Sequence, residues 1–251
     1  MPQLKAYHRP SSVDEALRLL SRPGVNTTII GGGAYITARM SDIFDEVVDL
    51  QAIGLTEVNY QNNQLTLGAM VRLQTIVDDP QIPNLLREAA HVAGPNTLRN
   101  AVTVGGVVVS ANKESEFLAA LLVFEAEIQI QSTAGPKKIL LTHFLSDVSG
   151  ALEGGIITGV SMATTGKTAR ARVARTPVDS PIVAALARLD HNDRIHLALC
   201  GVANTPILVD PANVKAATNP PGDFRGSKEY RRQMAATLTR RVLNELKGSE
   251  S

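Results

Sequence analysis

The sequence predicts an α+β protein of two or three subdomains. Three observations carry that expectation: helix alternating with strand in the first fifty residues, a series of short strands around a strongly apolar helix after them, and a long amphipathic helix at the C-terminal end. With 251 residues, 44% of them hydrophobic, the chain has enough apolar material for one large core or several smaller ones.

SSVDEALRLLS opens with a capping signature, Ser12 followed three residues on by Glu15, and places Val13, Ala16, Leu17 and Leu20 on one helical face. NTTII reads as a buried strand running into three glycines, and EVVDL as a further short strand after TARMSDIFD. QNNQLTLGAM alternates like one half-exposed strand. PNLLREAAHVAG has helical spacing through Leu86, Ala89, Ala90 and Ala93, closed by Gly94. NAVTVGGVVVSAN is a β-branched stretch interrupted by Gly105 and Gly106. ESEFLAALLVFEA follows it, and its nearly continuous apolar surface marks a buried helix. AEIQIQS, KKILLTHFL and GGIITGVSMATT read as strands of an antiparallel sheet.

TTGKTARARVART is basic and lacks apolar period, which sets a candidate boundary near residue 165. SPIVAALARLD suits helix or strand alike; the turn-like HNDR and the alternating RIHLALCGVA after it favour a hairpin. ATNPPGDFRG reads as a linker. The tail from Ser227 places Tyr230, Met234, Leu238 and Val242 four apart, the pattern of a long amphipathic helix.

Charge and cysteine content exclude several function classes. Twenty-five basic against twenty-four acidic residues, without a Lys/Arg block, give no electrostatic footprint for nucleic acid or an acidic membrane. The one cysteine, Cys200, lies in an apolar run, which rules out disulfides and thiolate metal clusters and fits a reducing, cytoplasmic setting. No signal peptide or membrane-spanning segment is expected.

The five histidines, His8, His91, His143, His191 and His196, share no metal-ligand spacing, so no metal site is expected. Ser110 and Ser115 stand in no nucleophile elbow, and no general acid or base is assignable, so any chemistry falls to a bound cofactor. Gly31 to Gly33 and Gly105 to Gly106 each follow a β-branched run. Amides freed by such glycines can form an anion-binding nest, for which a nucleotide diphosphate is a common ligand. Either site alone is better explained by an ordinary turn or bulge, and neither matches the spaced dinucleotide fingerprint or the P-loop.

Taken together and in order, YHRPSSVDEALRLL, IIGGGAYI, LTLGAMVRL, TLRNAVTVGG and DFRGSKEYRRQMAATLTRRVL resemble the FAD-binding medium subunit of molybdenum hydroxylases, the carbon monoxide dehydrogenase and xanthine dehydrogenase family. The resemblance implies two N-terminal α/β subdomains of the PCMH-type FAD-binding fold, residues 1–55 and 56–165. It also implies a shortened C-terminal domain, residues 166–251, with a small antiparallel sheet and helices. FAD is the implied cofactor. The implied partners are a molybdenum-cofactor large subunit and an iron–sulfur small subunit in a hetero-oligomer, with electrons passing through the flavin to an external acceptor.

On that resemblance the first cofactor loop falls on Ile30, Gly31, Gly32, Gly33, Ala34, Tyr35 and Ile36. The second falls on Thr103, Val104, Gly105, Gly106 and Val107, with Ser110, Ser115 and Glu116 following. The glycines match the family. Ala34 and Tyr35 stand where it has a hydroxyl or imidazole and then an acid or serine, and Val107 stands where it has asparagine. Each hydrogen bond lost to a charged group costs about 1.5–3 kcal/mol. A flavin-free scaffold or assembly subunit that keeps the fold is therefore the alternative expectation.

Overall fold

The structure is a computed structural model and describes residues 4–34 and 44–248. Its first layer is a three-stranded parallel sheet, β1 (Ala6–His8), β2 (Thr27–Ile30) and β3 (Glu46–Asp49), in the order β1-β3-β2, with helix α1 (Val13–Leu20) between β1 and β2. As the capping signature predicts, the Ser12 hydroxyl accepts from the Glu15 amide at 3.2 Å. The Glu15 carboxylate closes the box one residue further out, on the Ser11 amide. Ala16 and Leu17 pack with Val48 and Leu50 beneath the sheet.

The second unit begins with β4 (Val58–Gln61) and β5 (Gln64–Gly68), α2 (Leu73–Asp78), α3 (Asn84–His91), α4 (Asn96–Arg99), α5 (Val104–Ser110) and α6 (Glu116–Val123). It continues through β6 (Glu127–Ser132), β7 (Gly135–Leu140), α7 (Leu141–Ser146), α8 (Val148–Leu152) and β8 (Ile156–Ala163). Its five strands pair as β4-β5-β8-β6-β7, all antiparallel.

QNNQLTLGAM holds the half-exposed strand that its alternation predicts, β5, and its Asn62 and Asn63 take positive φ (49° and 62°) and turn the chain back onto β4, so the strand is the second half of a hairpin. Two expectations are corrected here. KKILLTHFL is a strand only to Leu140; Leu141, Phe144 and Leu145 then bury one face of α7. The β-branched stretch TVGGVVVS is helical. The Thr103 hydroxyl caps it by accepting from the Gly106 amide, and Val104, Val107 and Val108 bury at helical spacing, so packing overrides β propensity.

The last unit is the antiparallel sheet β12-β11-β10-β9, made of β9 (Lys167–Val173), β10 (Val183–Leu189), β11 (Ile195–Cys200) and β12 (Ile207–Val209). It is followed by α9 (Val214–Ala217) and α10 (Lys228–Gly248). The basic segment TARARV, read as lacking apolar period, is strand β9, whose alternate Ala169, Ala171 and Val173 pack against the C-terminal core.

SPIVAALARLD is a strand with both faces buried. Ala184 and Leu186 join the core of the second unit, while Val183, Ala185 and Ala187 pack with Ala235, Leu238 and Val242 of α10. Hence its apolar run lacks alternation. Every residue of α6 is buried for a related reason, since it lies between the second unit and this sheet.

Along α10 the buried stripe runs Arg231, Ala235, Leu238, Val242 and Leu246, one position on from the predicted Tyr230–Met234 start. The segment read as a linker is instead anchored. Fully buried Arg231 donates to both Asp223 oxygens, at 2.9 and 2.8 Å, and to the carbonyls of Ile182 and Gly201.

Burial pushes the Asp223 carboxyl up, but the hydrogen bonds from Arg231 and from the Arg225 amide prevail and hold its pKa at about 2. A carboxylate depressed in this way contributes stability above its ordinary value near 4 and loses it as pH falls toward 2. Asp223→Asn, which leaves Arg231 uncompensated, is therefore expected to cost about 3 kcal/mol at neutral pH. In thermal melts the deficit should stay constant above about pH 5 and narrow as both proteins are acidified toward pH 2.

Candidate functional site

The first glycine turn leaves the C-terminal end of β2, beside the end of β3, which is the edge of a parallel sheet where ligands bind. Ile30 is buried at the strand end. Gly33 turns the chain with φ +79°, a conformation that favours glycine. Gln51 reaches back to the Gly31 carbonyl at 3.4 Å, and buried Asp49 accepts from the Gln51 amide and from the Tyr7 hydroxyl at 2.5 Å. That hydrogen bond to Asp49 raises the Tyr7 phenol above its ordinary pKa. Ala34 packs against the core of the second unit, and Tyr35 and Ile36 lie outside the described residues.

The second glycine pair sits in the first turn of α5, and the structure brings the two turns together. A Cβ built on Gly31 would lie 3.0 Å from the Thr103 hydroxyl and 3.5 Å from the Met70 sulfur. On Gly32 it would lie 1.4 Å from the Ala101 carbonyl oxygen, so what approaches that glycine is the backbone leading into α5. On Gly106 it would meet only the Thr103 hydroxyl, at 3.1 Å. That side of α5, with half-buried Ser110 and exposed Val109 one turn on, is open.

The amides expected to be freed at Gly105 and Gly106 are not free. Val104 donates to the Val71 carbonyl at 2.9 Å, Gly105 to the Ala69 carbonyl at 2.8 Å, and Gly106 to the Thr103 hydroxyl at 3.2 Å. Val104 and Val107 point into the core, and Ser110 donates to the Val107 carbonyl. Ser115 and Glu116 stand beyond the far end of α5, which itself rises about 7.5 Å from Gly105 to Ser110. There Ser115 caps α6, and the buried Glu116 carboxylate meets Arg170 at 2.6 Å and Arg172 at 2.9 Å, both on β9.

Sequence reasoning did not find Ala101, Met70 or the Asp49–Gln51 buttress. Nothing in single-residue pattern marks them; only the fold brings them to the turn. It also did not find the cluster of Glu125, Asp190 and His196 at the β10–β11 hairpin. His196 donates to Asp190 at 3.0 Å, which with the turn amides of Asn192 and Arg194 pulls the carboxyl well below its ordinary pKa. Arg188 binds Glu125 at 2.8 Å, so the cluster already carries its cation.

The cradle at Gly106, open where any side chain would fill it, fits a group that must lie against backbone. Gly31, Gly33 and Thr103 on its other side are the remaining candidates to hold that group. Among the described residues no helix is long and apolar enough to cross a membrane.

Residues 2–162 match the family described as the FAD binding domain in molybdopterin dehydrogenase. A curated relative, the Escherichia coli K12 protein YgfM, is 30% identical over 248 residues, covering 94% of this chain and 93% of the relative. The glyceraldehyde dehydrogenase medium chain of Sulfolobus acidocaldarius is 25% identical, covering 96% and 98%. Among solved structures, carbon monoxide dehydrogenase from Oligotropha carboxidovorans superposes with a TM-score of 0.86 at 23% identity, covering 99% of each chain. At that identity the likeness concerns the fold, which has the mixed helix-and-sheet architecture described above. By the extent of the family match, this chain belongs to the FAD-binding domain family of molybdopterin dehydrogenases.

Proposed function

We propose that the chain holds FAD where the Gly31–Ala34 turn meets the first turn of α5, as the flavoprotein subunit of a molybdenum hydroxylase-type oxidoreductase. The observation that carries this reading is the meeting of the two glycine turns at the end of the parallel sheet, with the Gly106 face open. When bound, FAD supplies reversible one- and two-electron redox chemistry.

This chain's residues bind and orient the cofactor. Ile30, Gly31, Gly32, Gly33 and Ala34 form one wall; Tyr35 and Ile36, which the resemblance adds to the same loop, lie outside the described residues. Thr103, Gly105, Gly106 and Ser110 form the other. Because α5 uses its own first amides internally, hydrogen bonding to a pyrophosphate falls mainly to the first turn. Val107, Ser115 and Glu116, which the resemblance places near the cofactor, support the site through packing, capping and an ion pair. The partners are a molybdenum subunit that donates electrons, an iron–sulfur subunit that relays them, and an external acceptor. Relatives named as medium chains support a multi-chain assembly.

The satisfied amides of Val104, Gly105 and Gly106 favour a second reading, a flavin-free scaffold with the same fold. The visible spectrum of the purified chain, with chromatography of the nucleotide released on heating, separates the two. The first reading expects a yellow protein releasing FAD in near-equimolar amount, and a colourless protein that takes up no added FAD overturns it. Gly106→Val is expected to fold, at a cost near 1 kcal/mol from crowding the Thr103 cap, while FAD affinity in titration falls at least tenfold.

A further inference from the structure

The two glycine turns meet in surroundings almost without charge. The segments that build the place, 27–34, 69–73 and 101–110, hold no carboxylate, and Arg72 is the one cation in them. Arg99, two residues before the last segment, is buried and spends its guanidinium on the Gln74 side chain and on the carbonyls of His91 and Gly94. Arg9, near the end of the parallel sheet, is paired with Asp49 at 3.3 Å.

Arg72 stands directly opposite Thr103. The Leu73 amide donates to the Val102 carbonyl at 3.0 Å and the Val104 amide to the Val71 carbonyl at 2.9 Å, which closes an antiparallel bridge with Arg72 and Thr103 as its pair. In a pair of this kind the two residues do not bond each other through the backbone, and their side chains stand on the same side with Cβ atoms about 5 Å apart. The Thr103 hydroxyl is the group that a Cβ on Gly31 would meet at 3.0 Å and one on Gly106 at 3.1 Å. The point where the turns converge is therefore within reach of the Arg72 side chain. Val71 and Leu73 on either side are buried, Arg72 is exposed, and among the described residues its guanidinium makes no hydrogen bond or ion pair. The amides of Val104, Gly105 and Gly106 are already used, so α5 leaves an anion few donors of its own.

We propose that Arg72 is a cofactor-binding residue, whose guanidinium neutralises the FAD pyrophosphate where the glycine turns meet. The inference rests on the FAD reading above and adds to it the charge that the glycine loops lack. A guanidinium presents parallel donors to phosphate oxygens, and such charge-assisted bonds are stronger than those from neutral amides.

The test is titration of the flavin-free full chain with FAD, followed by flavin fluorescence at several salt concentrations, for the wild type, Arg72→Gln and Arg72→Lys. Arg72→Gln is expected to bind FAD at least tenfold more weakly and with a shallower dependence on salt, because a screened charge pair is gone. Arg72→Lys, which keeps the charge and loses the fork, should fall between the two in affinity and retain the salt dependence. The three flavin-free proteins should melt together, since the exposed side chain has no partner to lose. Wild-type affinity and salt dependence in Arg72→Gln overturn the proposal and leave the FAD reading standing. Weaker binding by Arg72→Gln with the wild-type salt dependence and a lowered flavin-free melting temperature also overturns it, in favour of a structural role. A wild-type chain that takes up no FAD overturns both readings, and it is the one result that does.

Discussion

Gly32→Ala is expected to be among the most damaging single-methyl additions to this chain, displacing the first glycine turn and removing flavin binding together. The added carbon would lie 1.4 Å from the Ala101 oxygen and 2.6 Å from its carbonyl carbon, both backbone atoms in the short segment between α4 and α5. No rotamer change relieves that overlap. Either the turn or the Ala101 segment must move, and the segment is held by Val102 on Leu98, by Leu73 on the Val102 carbonyl and by Val104 on Val71. Overpacking of this kind costs roughly 3 kcal/mol or more. For a chain of this size that is a fall of about 6–12 °C in Tm. Gly106→Ala is the matched control, since its new carbon meets only the Thr103 hydroxyl at 3.1 Å and should leave Tm nearly unchanged. Equal melting temperatures for wild type and Gly32→Ala would refute the close approach of the two turns.

That contrast shows what could be read from sequence at the site. Three consecutive glycines signal that something comes close to the backbone, and at Gly32 something does. The signal does not say what approaches, and Ala101 reaches it only because β2 and α5, seventy residues apart, fold side by side.

The fold divides along the same line. Helix α1 was legible because its cap and apolar face are local. The buried helix α6 was legible because no solvent face interrupts it. Helix α5 was not, since Val104, Val107, Val108 and Val109 argue locally for a strand, and it is the burial of Val104, Val107 and Val108 at helical spacing that makes the segment helical. Strand β9 hid for the opposite reason. Arg170 and Arg172 are charged on a face that turns inward, and the other face offers only Ala169, Ala171 and Val173, so the period of two is present but too weakly apolar to stand out.

Those two arginines set up the other large expected effect. Glu116 is 3% exposed and meets Arg170 and Arg172 together, tying α6 of the second unit to the C-terminal sheet. The bond from Arg170 at 2.6 Å is well formed. The 2.9 Å contact with Arg172 is not aligned as a hydrogen bond, and it leaves Glu116 Oε1 and Arg172 Nε unsatisfied. A buried pair removed at one end leaves uncompensated charge, and here two guanidinium groups would share the loss. Glu116→Leu is therefore expected to cost about 3–5 kcal/mol. Replacing all three residues, Glu116→Leu with Arg170→Leu and Arg172→Leu, should recover most of that cost. An under-satisfied buried network contributes little net stability compared with apolar packing of similar volume. Chemical denaturation of the single and triple variants measures both quantities. The same samples report on the cofactor: if Glu116 acts through packing alone, the triple variant should regain stability and flavin content in step. A triple variant that is stable yet flavin-free would instead place the Glu116 carboxylate in contact with the cofactor, where the resemblance to the medium-subunit family puts it.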